Sequence, residues 1–138
     1  MTKRSLPSSS LKRKAERAGR FAELASSLFV MMTGWRILYR RRRTFFGEID
    51  IVCRRGNIIL CIEVKYRAKE TDLTQILLSE RQQKRLARAA QSIFADIQTS
   101  AKTPQNLELR FDVHIWTGRG KFKRHSYVAL ENTSWHFG

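Results

Sequence analysis

The stretch FGEIDIVCRRGNIILCIEVKY, residues 46–66, decides how this chain reads. Two apolar-rich runs, 46–53 and 58–66, flank Arg54-Arg55-Gly56-Asn57, a tight-turn sequence, and predict an antiparallel hairpin. The second run is apolar on both faces from Ile58 to Ile62, as a central strand is. Four charges interrupt the apolar pattern: Glu48 and Asp50 on one strand, Glu63 and Lys65 on the next. Side chains alternate with a period of two, so each pair shares a face. A two-residue Gly56-Asn57 turn pairs Arg55 with Ile58. It thereby sets Asp50 opposite Glu63 and Glu48 opposite Lys65. A four-residue turn shifts the register by two and keeps all four on one face.

Two facing carboxylates repel, and partial burial raises each other's pKa. A hard divalent cation removes that conflict, and Mg²⁺ is commonly held by one or two carboxylates plus waters and phosphate oxygens. Lys65 adds an ammonium that can position water or stabilise charge on a phosphate. Asp50, Glu63 and Lys65 therefore have the form of a metal-dependent phosphodiesterase site. Alternating Glu-x-Lys also arises by chance, and Glu48 with Lys65 reads equally as a cross-strand ion pair.

Outward from the hairpin, residues 11–32 have helical spacing, with Ala18, Phe21, Ala22, Ala25, Leu28, Phe29 and Met32 on one face and Gly34 as the stop. Residues 35–40 form a first strand. A second helix is predicted over 72–98, with Leu86, Ala89, Ala90, Ile93, Phe94 and Ile97 as its stripe and Arg81, Lys84, Arg85 and Arg88 largely on other faces. Residues 107–116 and 122–130 read as two further strands, joined by a Gly- and Lys-rich turn. The predicted order is α-βββ-α-ββ: one α/β domain over 11–138 behind a flexible basic tail, 1–10.

The 138 residues hold 27 Lys+Arg against 12 Asp+Glu, a net charge of +15. The first 20 residues account for +6, so +9 belongs to the remainder. A hydrophobic fraction of 42% is too high for a disordered basic tail. The first partner such charge suggests is nucleic acid and the second an acidic membrane surface. No apolar run approaches the length of a membrane span, and no basic amphipathic helix carries Trp on its apolar face, so no membrane association is expected. The N-terminus lacks the apolar core of a secretory signal, although its basic, Ser-rich flavour is one a transit peptide shares. Cys53 and Cys61 form no CxxC pair and read as reduced, buried thiols, as expected of a cytoplasmic protein.

Asp50 followed by Glu63-Val64-Lys65 resembles the D-(x)n-ExK motif of the restriction-endonuclease-like, or PD-(D/E)xK, superfamily. The ordered blocks GRFAELA (19–25), GEIDIV (47–52), IEVKYR (62–67) and RFDVHIW (110–116) resemble the YraN-like family, small bacterial proteins similar to archaeal Holliday junction resolvases. The resemblance implies a restriction-endonuclease-like central mixed sheet flanked by helices. It implies a Mg²⁺- or Mn²⁺-dependent DNA endonuclease, with branched or junction DNA among its expected substrates. Asp50 and Glu63 would be metal ligands, the Val64 carbonyl would complete the shell, and Lys65 would be the catalytic lysine. Glu23 matches an early glutamate that related resolvases direct at the metal; a solvated helical glutamate is the competing reading. Resolvase analogy also implies a homodimer, since two symmetric cuts need two sites. The alternative is a nucleic-acid-binding module on the same fold without catalysis.

Arg40, Arg41, Arg42 and Arg43 lead into the Asp50 strand and are expected to grip phosphates, as is Lys84 on the second helix. Trp35, Trp116 and Trp135 are assigned to packing. His114, His125 and His136 receive no role, and Asp112 is expected to pair with Arg110.

Overall fold

The structure, a computed structural model, describes residues 9–67, 79–102, 106–118, 122–129 and 135–137. In chain order it has α1 (Ser9–Met32), β1 (Arg36–Thr44), β2 (Gly47–Arg55), β3 (Ile58–Arg67), α2 (Glu80–Ser100), β4 (Glu108–Thr117), β5 (Phe122–Ala129) and β6 (Trp135–Phe137). The strands form one mixed sheet in the order β1-β2-β3-β4-β5-β6. Only β3 and β4 run parallel, across the connection that contains α2; all other neighbours are antiparallel. The α-βββ-α-ββ order is present, with a sixth strand of three residues that the sequence pattern did not reveal. The stretch 72–78 of the expected second helix and residues 1–8 of the expected tail 1–10 lie outside the described residues, and Ser9 and Ser10 open α1.

Turn chemistry sets the register. Gly56 has φ +60°, a conformation glycine adopts without strain, and the Gly56-Asn57 turn pairs Arg55 with Ile58 and Ile51 with Ile62. β3 lies between β2 and β4, the interior position its two apolar faces require.

The alternation of β3 divides the core between two helices. Ile59 and Cys61 join Val52, Phe111, Val113 and Ile115 under Leu86, Ala89, Ala90 and Ile93 of α2. Leu60 and Ile62 join Ile51 and Cys53 under Val30 of α1. Both cysteines are free, buried and on opposite faces of the sheet. Burial in apolar surroundings pushes the Cys53 thiol up to about 12 and Cys61 higher still. Ile62 has no solvent exposure, so Ile62→Ala is expected to remove about 3 kcal/mol of stability by opening a cavity, measurable by urea unfolding.

α1 turns a different face to the sheet from the one its large apolar residues suggested. Its buried side chains are Ala22, Ser26, Ser27 and Val30, whereas Phe21, Leu28 and Met32 are exposed. The reason is a polar anchor. Ser26 Oγ lies 2.9 Å from His114 Nδ1 and accepts the Trp116 indole N–H at 2.7 Å. Small residues on this face let the helix lie close on the sheet, chiefly over β3, within reach of these two β4 side chains. Burial drives the His114 pKa down to about 4, and its Nε2 has no hydrogen-bond partner among the described residues. α1 ends as expected at Gly34, φ +91°, whose N–H donates to the Met31 carbonyl at 3.2 Å. α2 starts at a capping box: Ser79 Oγ accepts from Gln82 N–H, and Gln82 Oε1 accepts from Ser79 N–H, both at 3.2 Å. The expected Arg110–Asp112 pair is not what forms: Arg110 bonds Glu108 at 3.1 Å, and Arg124 of β5 lies 4.0 Å from Asp112.

Candidate metal and nucleic-acid site

β2 and β3 pair regularly from Arg55/Ile58 to Ile51/Ile62, which brings Asp50 and Glu63 next in line. At that point a side chain takes over from the ladder: the Val64 N–H donates to Asp50 Oδ2 at 2.7 Å. The Glu63 and Asp50 carboxyls are close enough to act on each other by charge and side-chain hydrogen bonding, so that ionising one raises the cost of ionising the other. Burial, then the Asp50 charge, then this bond push Glu63 up to about 8, against the opposing pull of Lys65 and Arg85. Burial chiefly raises Asp50 too, opposed by the Val64 bond. Lys65 is half-buried, and its pKa is lowered by burial and by the Arg67 charge. The alternation of β3 points Glu63 and Lys65 toward the α2 side with Cys61, and Arg85 of α2 acts electrostatically on both.

Strict alternation breaks at Asp50. Ile49 and Val52 belong to the α2-side core, whereas Ile51 and Cys53 belong to the α1 side. Across the β1–β2 ladder, Arg41 falls between the pairs Arg40/Ile51 and Arg42/Ile49, facing Asp50, and has φ +52°. A non-glycine residue in this left-handed region costs roughly 1–2 kcal/mol. Arg41→Gly and Arg41→Ala both remove the guanidinium, so their difference isolates this strain. The glycine variant is expected to be about 1 kcal/mol more stable than the alanine variant in urea unfolding.

The kink redistributes the neighbouring charges. Arg41 holds Glu23 Oε2 through Nη2 at 2.7 Å and Nε at 2.9 Å. Glu48 does not meet Lys65 as one reading had it; it accepts from Arg43 Nε at 3.4 Å. Arg42 lies 3.8 Å from Asp96 and stacks over Tyr39. Arg40 is exposed. Three of the four consecutive arginines thus face carboxylates, but these pairs are solvent-exposed, and such pairs contribute about 0–1 kcal/mol. Glu23 adds its charge to the surroundings of Asp50 while bound to Arg41. Among the described residues no three His, Cys, Asp or Glu side chains converge as a metal cluster. The donor set is therefore the Asp50–Glu63 pair with backbone beside it. Two partly buried neighbouring carboxylates with raised pKa values suit a small hard cation completed by waters and phosphate oxygens.

The feature that sequence reasoning underweighted is a cleft of about 370 Å³ lined by Phe46, Arg81, Gln82, Lys84, Arg85 and Arg88. The four cations recur at i, i+3, i+4 and i+7, one face of α2, and that spacing was the available signal. Lys84 also lies 3.9 Å from Glu80. The other wall is the β1–β2 turn, where Thr44 Oγ1 donates to the Gly47 carbonyl at 2.7 Å. Gly47 has φ +145°, which favours glycine, and a Cβ there would meet the Arg85 side chain at 3.6 Å, an ordinary contact that places Arg85 beside the turn.

The comparisons with known proteins agree with one another. A model of the uncharacterised protein family UPF0102 matches residues 22–115, from α1 to β4. A UPF0102 protein of Bradyrhizobium diazoefficiens is 40% identical over 117 residues, 85% of this chain and 84% of that one. Another, of Rhizobium etli, is 38% identical over 115 residues, 83% and 89% of the two chains. A third, of Maricaulis maris, is 36% identical over 118 residues, 86% and 88%. These identities extend over nearly the whole of both partners, and the chain belongs to the uncharacterised protein family UPF0102, the YraN-like family.

Proposed function

We propose that this chain is a Mg²⁺- or Mn²⁺-dependent DNA endonuclease with the restriction-endonuclease-like, PD-(D/E)xK arrangement. The observation that carries the reading is the Asp50–Glu63 carboxyl pair, partly buried at the end of the β2–β3 ladder with the Val64 N–H on Asp50 Oδ2 at 2.7 Å and Lys65 two residues along the same face, in a chain of net charge +15. Asp50 and Glu63 would hold the cation, and the Val64 carbonyl is the nearby backbone oxygen to complete the set. The cation would supply charge neutralisation at the phosphate and a water of lowered pKa. Lys65 would orient the attacking water or stabilise charge on the phosphate oxygens, and partial burial would strengthen that interaction. Arg81, Lys84, Arg85 and Arg88 would seat neighbouring phosphates, and the exposed pairs of Arg41, Arg42 and Arg43 are weak enough for phosphates to displace. Glu23 acts in this reading through Arg41, which it holds across from Asp50. A homodimer fits paired cuts in a branched substrate, and two reduced buried thiols fit a cytoplasmic setting. Among the described residues no helix is long and apolar enough to cross a membrane.

A second reading, a binding module without catalysis, is favoured by one observation: among the described residues no third acid joins the pair, and Glu23 is held by Arg41. One assay separates the two. Linear, single-stranded, flap and four-way-junction DNA are each incubated with the protein and Mg²⁺, with a chelator control. Chelator-sensitive cleavage is expected for at least one substrate. Salt-sensitive binding without cleavage of any substrate, with either Mg²⁺ or Mn²⁺, would overturn the endonuclease reading in favour of the module.

A further inference from the structure

The tip of the β1–β2 hairpin presents two adjacent phenylalanines. Phe45 is 98% exposed and Phe46 38%, and their rings meet edge to face with centroids 5.5 Å apart. Turn positions favour Gly, Asn, Asp and Ser for conformational reasons, and phenylalanine brings none of these advantages. The backbone makes the turn without help from either ring: Thr44 Oγ1 donates to the Gly47 carbonyl and accepts from the Phe46 N–H at 3.1 Å. Neither ring is assigned to the two buried core clusters.

Their surroundings are specific. Phe46 forms one wall of the cleft whose other wall carries Arg81, Lys84, Arg85 and Arg88. Arg85 lies against Gly47 and also acts on Glu63 and Lys65. The cationic helix face therefore adjoins the carboxylate pair on one side and the aromatic tip on the other. Aromatic rings beside a positively charged groove are the two components of a surface that binds unstacked nucleotides: cations follow the backbone while rings take the bases. In a continuous duplex the bases are stacked on each other, and a ring at the backbone finds no face to cover.

We propose that Phe45, backed by Phe46, is a stacking platform for an unpaired base beside the site. The preferred substrate class is accordingly nucleic acid with locally unstacked nucleotides: a single strand, flap or branch. This rests on the reading of the cleft as a nucleic-acid groove, and the experiment separates the two claims. Fluorescent oligonucleotides carrying 2-aminopurine are titrated, in Mg²⁺-free buffer, with wild type, Phe45→Ala, Phe45→Trp and the double variant Lys84→Glu/Arg88→Glu. Each is tested on single-stranded, flap and continuous duplex DNA. Phe45→Ala is expected to weaken single-strand and flap binding by about 10- to 100-fold, the effect of losing one stacked base. Duplex affinity should change less than about 2-fold, and Phe45→Trp should restore binding and quench the probe on stacking. Equal affinities of Phe45→Ala and wild type for the single strand, or equal losses on all three DNAs, would overturn the platform. Loss of binding to anionic lipid vesicles by Phe45→Ala, with DNA binding intact, would overturn it in favour of a membrane contact. Unchanged binding by Lys84→Glu/Arg88→Glu would instead overturn the groove on which the proposal rests.

Discussion

Asp50→Asn lowers Mg²⁺-dependent cleavage by about 10³-fold while DNA affinity stays within about 3-fold. A bound cation contributes several kcal/mol of charge stabilisation in a phosphoryl transition state, and each 1.4 kcal/mol or so is tenfold in rate. Asparagine keeps an oxygen to accept from the Val64 N–H, now at 2.7 Å from Asp50 Oδ2, so local structure is retained while the ligand charge is lost. Lys65→Met should cost about 10²-fold, again in turnover rather than binding, since the ammonium acts on a transferring proton or developing charge. Single-turnover rates with saturating protein, alongside Mg²⁺-free binding, separate these effects. Equal cleavage by wild type and Asp50→Asn would remove the proposed site.

Metal-free protein loses stability as pH rises from about 6.5 to about 8. Glu63 has a folded pKa raised to about 8 from an ordinary 4.5, so the folded state binds the proton more tightly than the unfolded state. Its stabilising contribution is complete below the unfolded pKa and is lost as pH climbs through the folded one. His114 acts in the opposite direction. Its folded pKa is depressed to about 4, so its contribution is present above pH 6.5 and is lost as pH falls. The two slopes oppose each other at acidic pH, and the interval from 6.5 to 8 reports Glu63 more cleanly. Urea midpoints measured across that interval should fall in wild type and be nearly flat in Glu63→Gln, a neutral side chain of the same shape. Parallel slopes in the two proteins would show that Glu63 is not the titrating group.

The hairpin was legible because its information is local. Gly56-Asn57 sets the register, and period-two alternation carries it to Asp50 and Glu63 without further input. The same rule overreached at Glu48, because it assumes an unbroken strand. Arg41 at positive φ and the change of cluster between Ile49 and Ile51 mark a kink that no propensity reveals. The orientation of α1 was hidden for a different reason. Spacing finds the large apolar stripe, but Ser26 is drawn inward by partners 88 and 90 residues away, His114 and Trp116. β6 is only three residues long and leaves no periodic trace. The cleft required two distant pieces, the face of α2 and the tip at Phe46, to be adjacent. Only the α2 half is visible as a pattern in the sequence. The structure ties three of the Arg40–Arg43 run to carboxylates and leaves the α2 face lining a cavity.

The central claim is that Asp50 and Glu63 form a divalent-cation site. Calorimetric titration of the DNA-free protein with Mn²⁺ at pH 7.5, in two buffers of different ionisation enthalpy, tests it directly. Wild type should take up one ion per chain and release a proton from the carboxyl pair, while Asp50→Asn and Glu63→Gln should each lose that binding. Binding of the same strength in all three proteins, or none in wild type at millimolar Mn²⁺, would contradict it.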